Sequence, residues 1–380
     1  MKVLYDHQAF MWDKYSGIPR YFCELIREYQ SSDEVVPHFP KGYCQNRDYR
    51  DLLSFNKVPC SWRVRDTFLT ISKKTIHRDP SAYISNIQKH SLSLLDSGDY
   101  DVFHPTHFSQ YYAQTISHSN KPIVLTVYDF TFEQYSEYYS PKVVAKVIHE
   151  TELSLNNATR IICISNYTKD ELIKTYGVDP SVIDVIYLGL PSINNNIIQS
   201  WDKSSDSPYL LYVGVRRGHK NFYTFVLSIK EFLLKNGLRL ICAGSPFTSG
   251  ELAYLKALGL ENIVIAIQAN NQVLSHLYLE ALAFIFPSVN EGFGFPVLEA
   301  FSCGCPVICS GGSCFPEIAG DAAMYFNPKD VASILDAVEH VVSDEKLRNQ
   351  MRERGYKQLE KFSWKKCAEE TKTVYEKAME

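Results

Sequence analysis

Two carboxylates eight residues apart, Glu291 and Glu299, bracket the stretch EGFGFPVLE, in which Gly292 and Gly294 precede Pro296. Pro in a first helical turn and Gly just past a last one place a helix from about 296 to Gly304. Two glycines ahead of a helix start let backbone N–H groups approach an anion closely, and the helix dipole favours that anion. Carboxylates beside a phosphate would not be there to bind it. They suit hydroxyl groups, and a sugar carries many. A second constellation is YVGVRRGHKNF, residues 212–222, where Arg216, Arg217, His219 and Lys220 follow Gly214. Arg can clamp a diphosphate through two parallel bonds and Lys can add a point charge. Taken alone the loop also reads as a solvated basic turn. It is not a G-x-G-x-x-G fingerprint, which argues against a nicotinamide dinucleotide.

Other candidates carry less. Cys303, Cys305, Cys309 and Cys314 lack the C-x2-C spacing of a zinc site and fall across a helix end, a strand and a loop. They read as small, buried, reduced residues, and no metal site is expected. The tyrosine-rich run at 134–139 suits either stacking on a ligand or surface packing.

The elements that must position these residues alternate. Short β-branched runs at 3–5, 102–104, 122–128, 160–164 and 184–187 are each followed by a loop and a helical pattern. The rhythm restarts at 209–213, 238–243, 263–267, 281–286 and 306–309. Such alternation predicts an α/β protein with mostly parallel sheets. The polar segment at about 190–205 reads as a linker. The expected organisation is two Rossmann-like domains, 1–190 and 191–363, with a closing amphipathic helix at 364–380 that packs back on the first. A length of 380 residues agrees with two domains.

Composition excludes several classes. Hydrophobic content of 45% with 22% charged residues is globular rather than disordered. A net charge of −4 lacks the basic footprint of a nucleic-acid binder. No signal peptide or membrane span is read, and ten scattered cysteines fit a reducing compartment, so a cytoplasmic protein is expected. Residues 41–90 hold ten Lys and Arg against four Asp and no Glu, a balance of +6. That segment reads either as a solvated face over core aromatics or as a surface for anionic lipid on the inner membrane face.

These residues together carry a resemblance. EGFGFPVLEA is similar to the E-x7-E motif of the GT4-type retaining glycosyltransferases, which have the GT-B fold, and YVGVRRGHKNF resembles their phosphate loop. The segments ATRIICISNYTKDELIKTYGVDPSVIDVIYLG, GDAAMYFNPKD and the closing FSW helix are also similar to the family. The resemblance implies that Arg216 and Lys220 neutralise the diphosphate of a nucleotide-sugar donor. It implies that Glu291, with the backbone of Gly292, Phe293 and Gly294, holds the transferred sugar, and that Glu299 holds the ribose. Gly17, Gly214, Val297 and Leu298 complete the donor set. Tyr128 and Asp129 stand where many members have His-Asp near the anomeric centre, so no histidine role carries over to Tyr128. His104 and His107, in HPTHF, match a loop on the acceptor side, although histidines there are often structural. The implied reaction is a retaining, metal-independent hexosyl transfer that uses no cofactor, with a donor phosphate oxygen as base. The implied partners are a nucleotide sugar, with a lean to a GDP-mannose type, and a saccharide or lipid-linked saccharide in O-antigen assembly. A nucleotide-sugar epimerase and a UDP-sugar-dependent transferase are the alternatives.

Overall fold

Every strand pairing among the described residues is parallel. The computed structural model describes residues 1–12, 17–32, 34–40, 49, 52, 81–116, 119–190 and 207–380. In the N-terminal half the strands are β1 (Lys2–Tyr5), β2 (Val36–His38), β3 (Val102–His104), β4 (Val124–Val127), β5 (Arg160–Cys163) and β6 (Ile183–Val185). They pair in the orders β2-β1-β3 and β4-β5-β6, and a single bridge from Phe103 to Ile123 joins the two sets. In the C-terminal half β7 (Tyr209–Val213), β8 (Arg239–Ala243), β9 (Val264–Ile267), β10 (Ala283–Phe286), β11 (Val307–Ser310) and β12 (Ala323–Phe326) form one sheet, ordered β12-β11-β10-β7-β8-β9.

The central strands are continuous apolar runs because helices cover both faces of a parallel sheet. VLTV, AFIF and VICS are buried at every position. β2 and β12 were not anticipated from sequence. Both lie at sheet edges, and β2 tolerates Pro37 because an edge strand does not need every N–H. No helix among the described residues is long and apolar enough to cross a membrane. Most of the basic stretch in 41–90 falls outside the described residues. Cys303, Cys305, Cys309 and Cys314 are buried free thiols.

The last helix, Trp364–Met379, belongs in space to the first half. It buries Trp364, Cys367, Ala368, Thr371, Val374, Tyr375 and Ala378, a stripe at helical spacing, against the Gly17–Gln30 helix and the ends of β3, β4 and β5. Trp364 donates its indole N–H to the Leu190 carbonyl at 2.6 Å. At Gly189 a Cβ would come within 2.4 Å of the Trp364 backbone nitrogen, so only glycine fits.

A polar chain runs through this interface. Tyr5 and Tyr375 share a hydrogen bond of 2.9 Å between hydroxyls, Tyr375 meets His104 Nδ1 at 2.7 Å, and His104 Nε2 meets Thr126 Oγ1 at 2.8 Å. His104 is fully enclosed, and burial pushes its imidazole down to about 3, so it stays neutral. This corrects the acceptor-side expectation for His104: both ring nitrogens are spent inside the core. Replacing Tyr375 by Phe leaves His104 Nδ1 and the Tyr5 hydroxyl without that partner. The expected cost is about 1–3 kcal/mol, read as a lower urea midpoint at unchanged slope. An unmoved midpoint would show that the chain contributes nothing.

Candidate active site

Read from the other edge, the C-terminal sheet runs β9-β8-β7-β10-β11-β12, which reverses direction between β7 and β10. Loops leaving the carboxyl ends of strands part at such a switch point, and ligands bind in the crevice between them. The β7 loop carries Lys220 and the β10 loop carries Glu291, and their side chains form an ion pair across the crevice. Both are largely but not wholly buried. Gly214 ends β7 with a φ of +118°, which favours glycine, and a short turn at Gly218–Lys220 leads through Asn221, at φ +56°, into the Phe222–Asn236 helix. The backbone of Glu291 is held from one side by Ser313, whose hydroxyl accepts its N–H at 2.9 Å and donates to its carbonyl at 2.6 Å.

Arg216 is placed differently from the expectation. It is buried and gives Nε to Glu251 at 2.8 Å and Nη2 to the Ser245 and Pro246 carbonyls at 2.8 and 3.0 Å, with its guanidinium 4.7 Å from the Phe247 ring centre. Burial would raise the Glu251 carboxyl, but Arg216 and Thr248 outweigh it and hold it below the usual range. Arg216 therefore braces the β7 loop against the β8 loop, and only Nη1 lacks a partner. The neighbouring Arg217 is the exposed guanidinium.

Glu299 lies in the Phe295–Ser302 helix and is also nearly enclosed. One oxygen accepts from Arg20 of the N-terminal half at 3.0 Å and the other from the Tyr278 hydroxyl at 3.3 Å. Gly294 caps this helix with φ +92° and no side-chain bond. Val297 and Leu298 are fully buried in the core, and Phe293 packs among Phe295, Phe362 and Tyr187. A donor could meet only the backbone of these three.

The N-terminal sheet reverses between β1 and β3. There Asp6, which sequence reasoning passed over, is buried and accepts from the Thr106 N–H at 2.9 Å and from Gln8 Nε2 at 2.6 Å. The signal was a carboxylate directly after the first strand. His107 follows Thr106 and is half-buried; burial lowers its imidazole more than Asp6 and Asp129 raise it. Asp129 is exposed and accepts the Thr131 N–H at 2.9 Å in the turn that enters a short helix, Thr131–Gln134. Tyr128 turns inward and donates its hydroxyl to the Thr106 carbonyl at 3.0 Å, so its hydroxyl is spent in the core. The single Asp-x-Asp triplet, at 99–101, lies at the amino end of β3, with Asp99 on Lys2. Among the described residues no three His, Cys, Asp or Glu side chains converge as a metal site.

The two halves meet beside this crevice. A Cβ on Gly292 would lie 1.8 Å from the Tyr128 carbonyl oxygen. Ser165 donates to the Gly292 carbonyl at 2.7 Å, and Tyr167 donates to Asn290 Oδ1 at 2.8 Å. Glu317 accepts the Asn166 and Tyr167 N–H groups at 2.6 and 3.2 Å, at the start of the Asn166–Tyr176 helix. Gly17 sits against Phe295, with 3.3 Å to a Cβ. Around the same loops the buried atoms Ser288 Oγ, Asn290 Nδ2, Ser310 Oγ and His219 Nδ1 have no hydrogen-bond partner among the described residues. Buried polar atoms are nearly always satisfied, by protein groups or by ordered water.

Comparison with known proteins decides the class. The model of the glycosyl transferases group 1 matches residues 194–358, and that of Glycosyltransferase Family 4 matches residues 15–192. The chain is a member of this glycosyltransferase family. A relative from Escherichia coli, "O-antigen chain mannosyltransferase B", is 27% identical with 99% of each chain covered. A second, "O-antigen chain mannosyltransferase RfbU" of Salmonella typhimurium, is 29% identical over 57% of this chain and 60% of its own. The solved structure of Anabaena Alr3699/HepE with UDP and glucose superposes with a TM-score of 0.70 at 15% identity, covering 99% of this chain and all of the other. The fold is GT-B, and the glycosyltransferase's crevice lies between its two sheets' carboxyl edges. Family membership favours transfer over the epimerase alternative.

Because Gly292 touches backbone, Gly292→Ala has no side chain to push aside. The variant is expected to part the two halves, raising the radius of gyration in solution scattering, and to lower transfer. Unchanged scattering with unchanged activity would mean the seam does not hold the glutamate loop.

Proposed function

We propose that the protein moves a hexose, of mannose type from a GDP-sugar, to a saccharide or lipid-linked saccharide in O-antigen or related surface-polysaccharide assembly, with retention and without a resident metal. The observation that carries the reading is the Lys220–Glu291 pair at the switch point of the second sheet. The names of the two bacterial relatives support the sugar and the process.

In this reading Lys220 and the exposed Arg217 face the diphosphate as negative charge develops on it, and Glu291 accepts hydroxyls of the transferred sugar. Fixed charges aimed at developing charge supply the largest part of such catalysis. The bond from the anomeric carbon to the diphosphate breaks, the bond to the acceptor oxygen forms, and the acceptor's proton passes to a phosphate oxygen. Retention follows because acceptor and leaving group share one face. Glu299 takes the ribose hydroxyls only after exchanging its bond from Arg20. The crevice of the first sheet, around His107 and Asp129, receives the acceptor. A lipid-linked acceptor places the enzyme at the cytoplasmic face of a membrane.

A thermal-shift panel of GDP-, UDP-, dTDP- and CMP-sugars, with and without EDTA, tests donor and metal together. A shift confined to GDP-sugars and indifferent to EDTA is expected through mass action. A shift with UDP-sugars alone would replace the donor, and one abolished by EDTA would end the metal-free reading. Lys220→Ala is expected to cut kcat about 10²–10³-fold and to weaken donor binding. Normal kinetics in that variant would displace the donor site.

A further inference from the structure

His219 precedes Lys220 in the β7 loop and takes part in none of the three ion pairs described above. Its carbonyl accepts the Val289 N–H at 2.8 Å, which ties the β7 loop to the β10 loop two residues before Glu291. Its ring centre lies 6.0 Å from that of Tyr135, which belongs to the other half. Next to it Gly218 rests on Tyr138, with 3.3 Å from a Cβ to the ring. The imidazole therefore stands at the seam between the halves, beside the residues that hold the donor in the reading above. Its Nδ1 is buried and has no hydrogen-bond partner among the described residues.

The charges around it come from both halves. Lys220 and Glu291 lie on its own side and Asp129 on the other, and the Tyr139 hydroxyl feels Asp129, Arg217 and Glu291. Burial, then Lys220, lower the imidazole by more than Glu291 and Asp129 raise it. The ring is thus neutral near pH 7, with one donor and one acceptor. A phosphate would call for a cation here. A hydroxyl, which both gives and takes a hydrogen bond, matches a neutral imidazole. Tyr128, across the seam, has given its own hydroxyl to Thr106 and cannot supply that contact.

We propose that His219 holds a hydroxyl of the transferred hexose and so selects the donor sugar from the phosphate-loop side. The inference rests on the donor site proposed above and deepens it. A contact to the sugar, and not to the diphosphate, separates two affinities that a general disturbance of the loop would move together.

The test uses the full chain and the donor identified by the panel. For His219→Ala, kcat/KM for the nucleotide sugar is expected to fall about 10- to 100-fold. Affinity for the free nucleoside diphosphate and KM for the acceptor should stay within twofold. His219→Asn keeps a donor and an acceptor and should recover part of the loss. Donors lacking one hydroxyl each should include one that penalises the wild type but not His219→Ala. Because the neutral ring is the binding form, wild-type kcat/KM falls as pH drops through its lowered pKa, below 6.5, and His219→Asn lacks that acid limb. Unchanged donor kcat/KM in His219→Ala, or equal penalties for every deoxy donor in both enzymes, overturns the inference. Loss of nucleoside diphosphate affinity in both variants, in step with the loss for the nucleotide sugar, also overturns it. Failure of the wild type to transfer from any donor would instead defeat the function proposed above.

Discussion

Where Gly292 rests on the Tyr128 carbonyl, backbone meets backbone, and the position of the glutamate loop depends on that contact. A packed side chain at a domain seam can adjust its rotamer; two peptide groups cannot. Ser165 and Thr168 both direct hydroxyls at the Gly292 carbonyl from the first half. Ser313 grips the Glu291 peptide from the second. The carboxylate of Glu291 is thereby located by both halves at once. Its pairing with Lys220 lies within the second half, while its position relative to the first half is set by the seam.

Three cations at the crevice are paired with carboxylates. Lys220 is matched by Glu291, Arg20 by Glu299 and Arg216 by Glu251. Removing one member of a buried pair leaves an uncompensated charge, which is far costlier than the pair itself is stabilising. The three pairs differ in what they can release. Arg216 and Glu251 are almost fully enclosed and bonded further to carbonyls and to a helix cap, so they behave as one fixed brace. Lys220 and Arg20 are each about a fifth exposed and can turn toward an incoming group. The gradation runs from brace to switchable contact across a single crevice.

Much of this was legible in the residues. The alternation of short apolar runs with helical patterns implied parallel sheets, and EGFGFPVLE beside YVGVRRGHKNF located the crevice. What stayed hidden has physical causes. Arg216 and Arg217 are adjacent and chemically alike, and only the position of Glu251, thirty-five residues on, decides which one is buried. His104 and His107 share one short loop, yet the first points to a helix at the far end of the chain. Tyr128 could not be placed because its partner is a backbone carbonyl, which leaves no mark on side-chain patterns. Asp6 read as a lone carboxylate; Gln8 is a local partner two residues on, but Thr106 converges on it only once β1 and β3 pair. Edge strands such as β2 carry too few residues to show a period.

The return of the Trp364–Met379 helix to the first half gives the chain two tethers between its halves. One leaves at Leu190 and the other re-enters at Trp364, and the indole N–H of Trp364 on the Leu190 carbonyl sets the two side by side. A single tether is a ball joint and lets one body swivel freely on the other. A doubled tether at one corner is closer to a door hinge, with the bond from Trp364 to Leu190 as its pin. Any gaping of the crevice is steered along one arc, so Glu291 and Lys220, which ride on the same leaf, keep their spacing throughout the swing, and Asp129 and His107 retreat from them together.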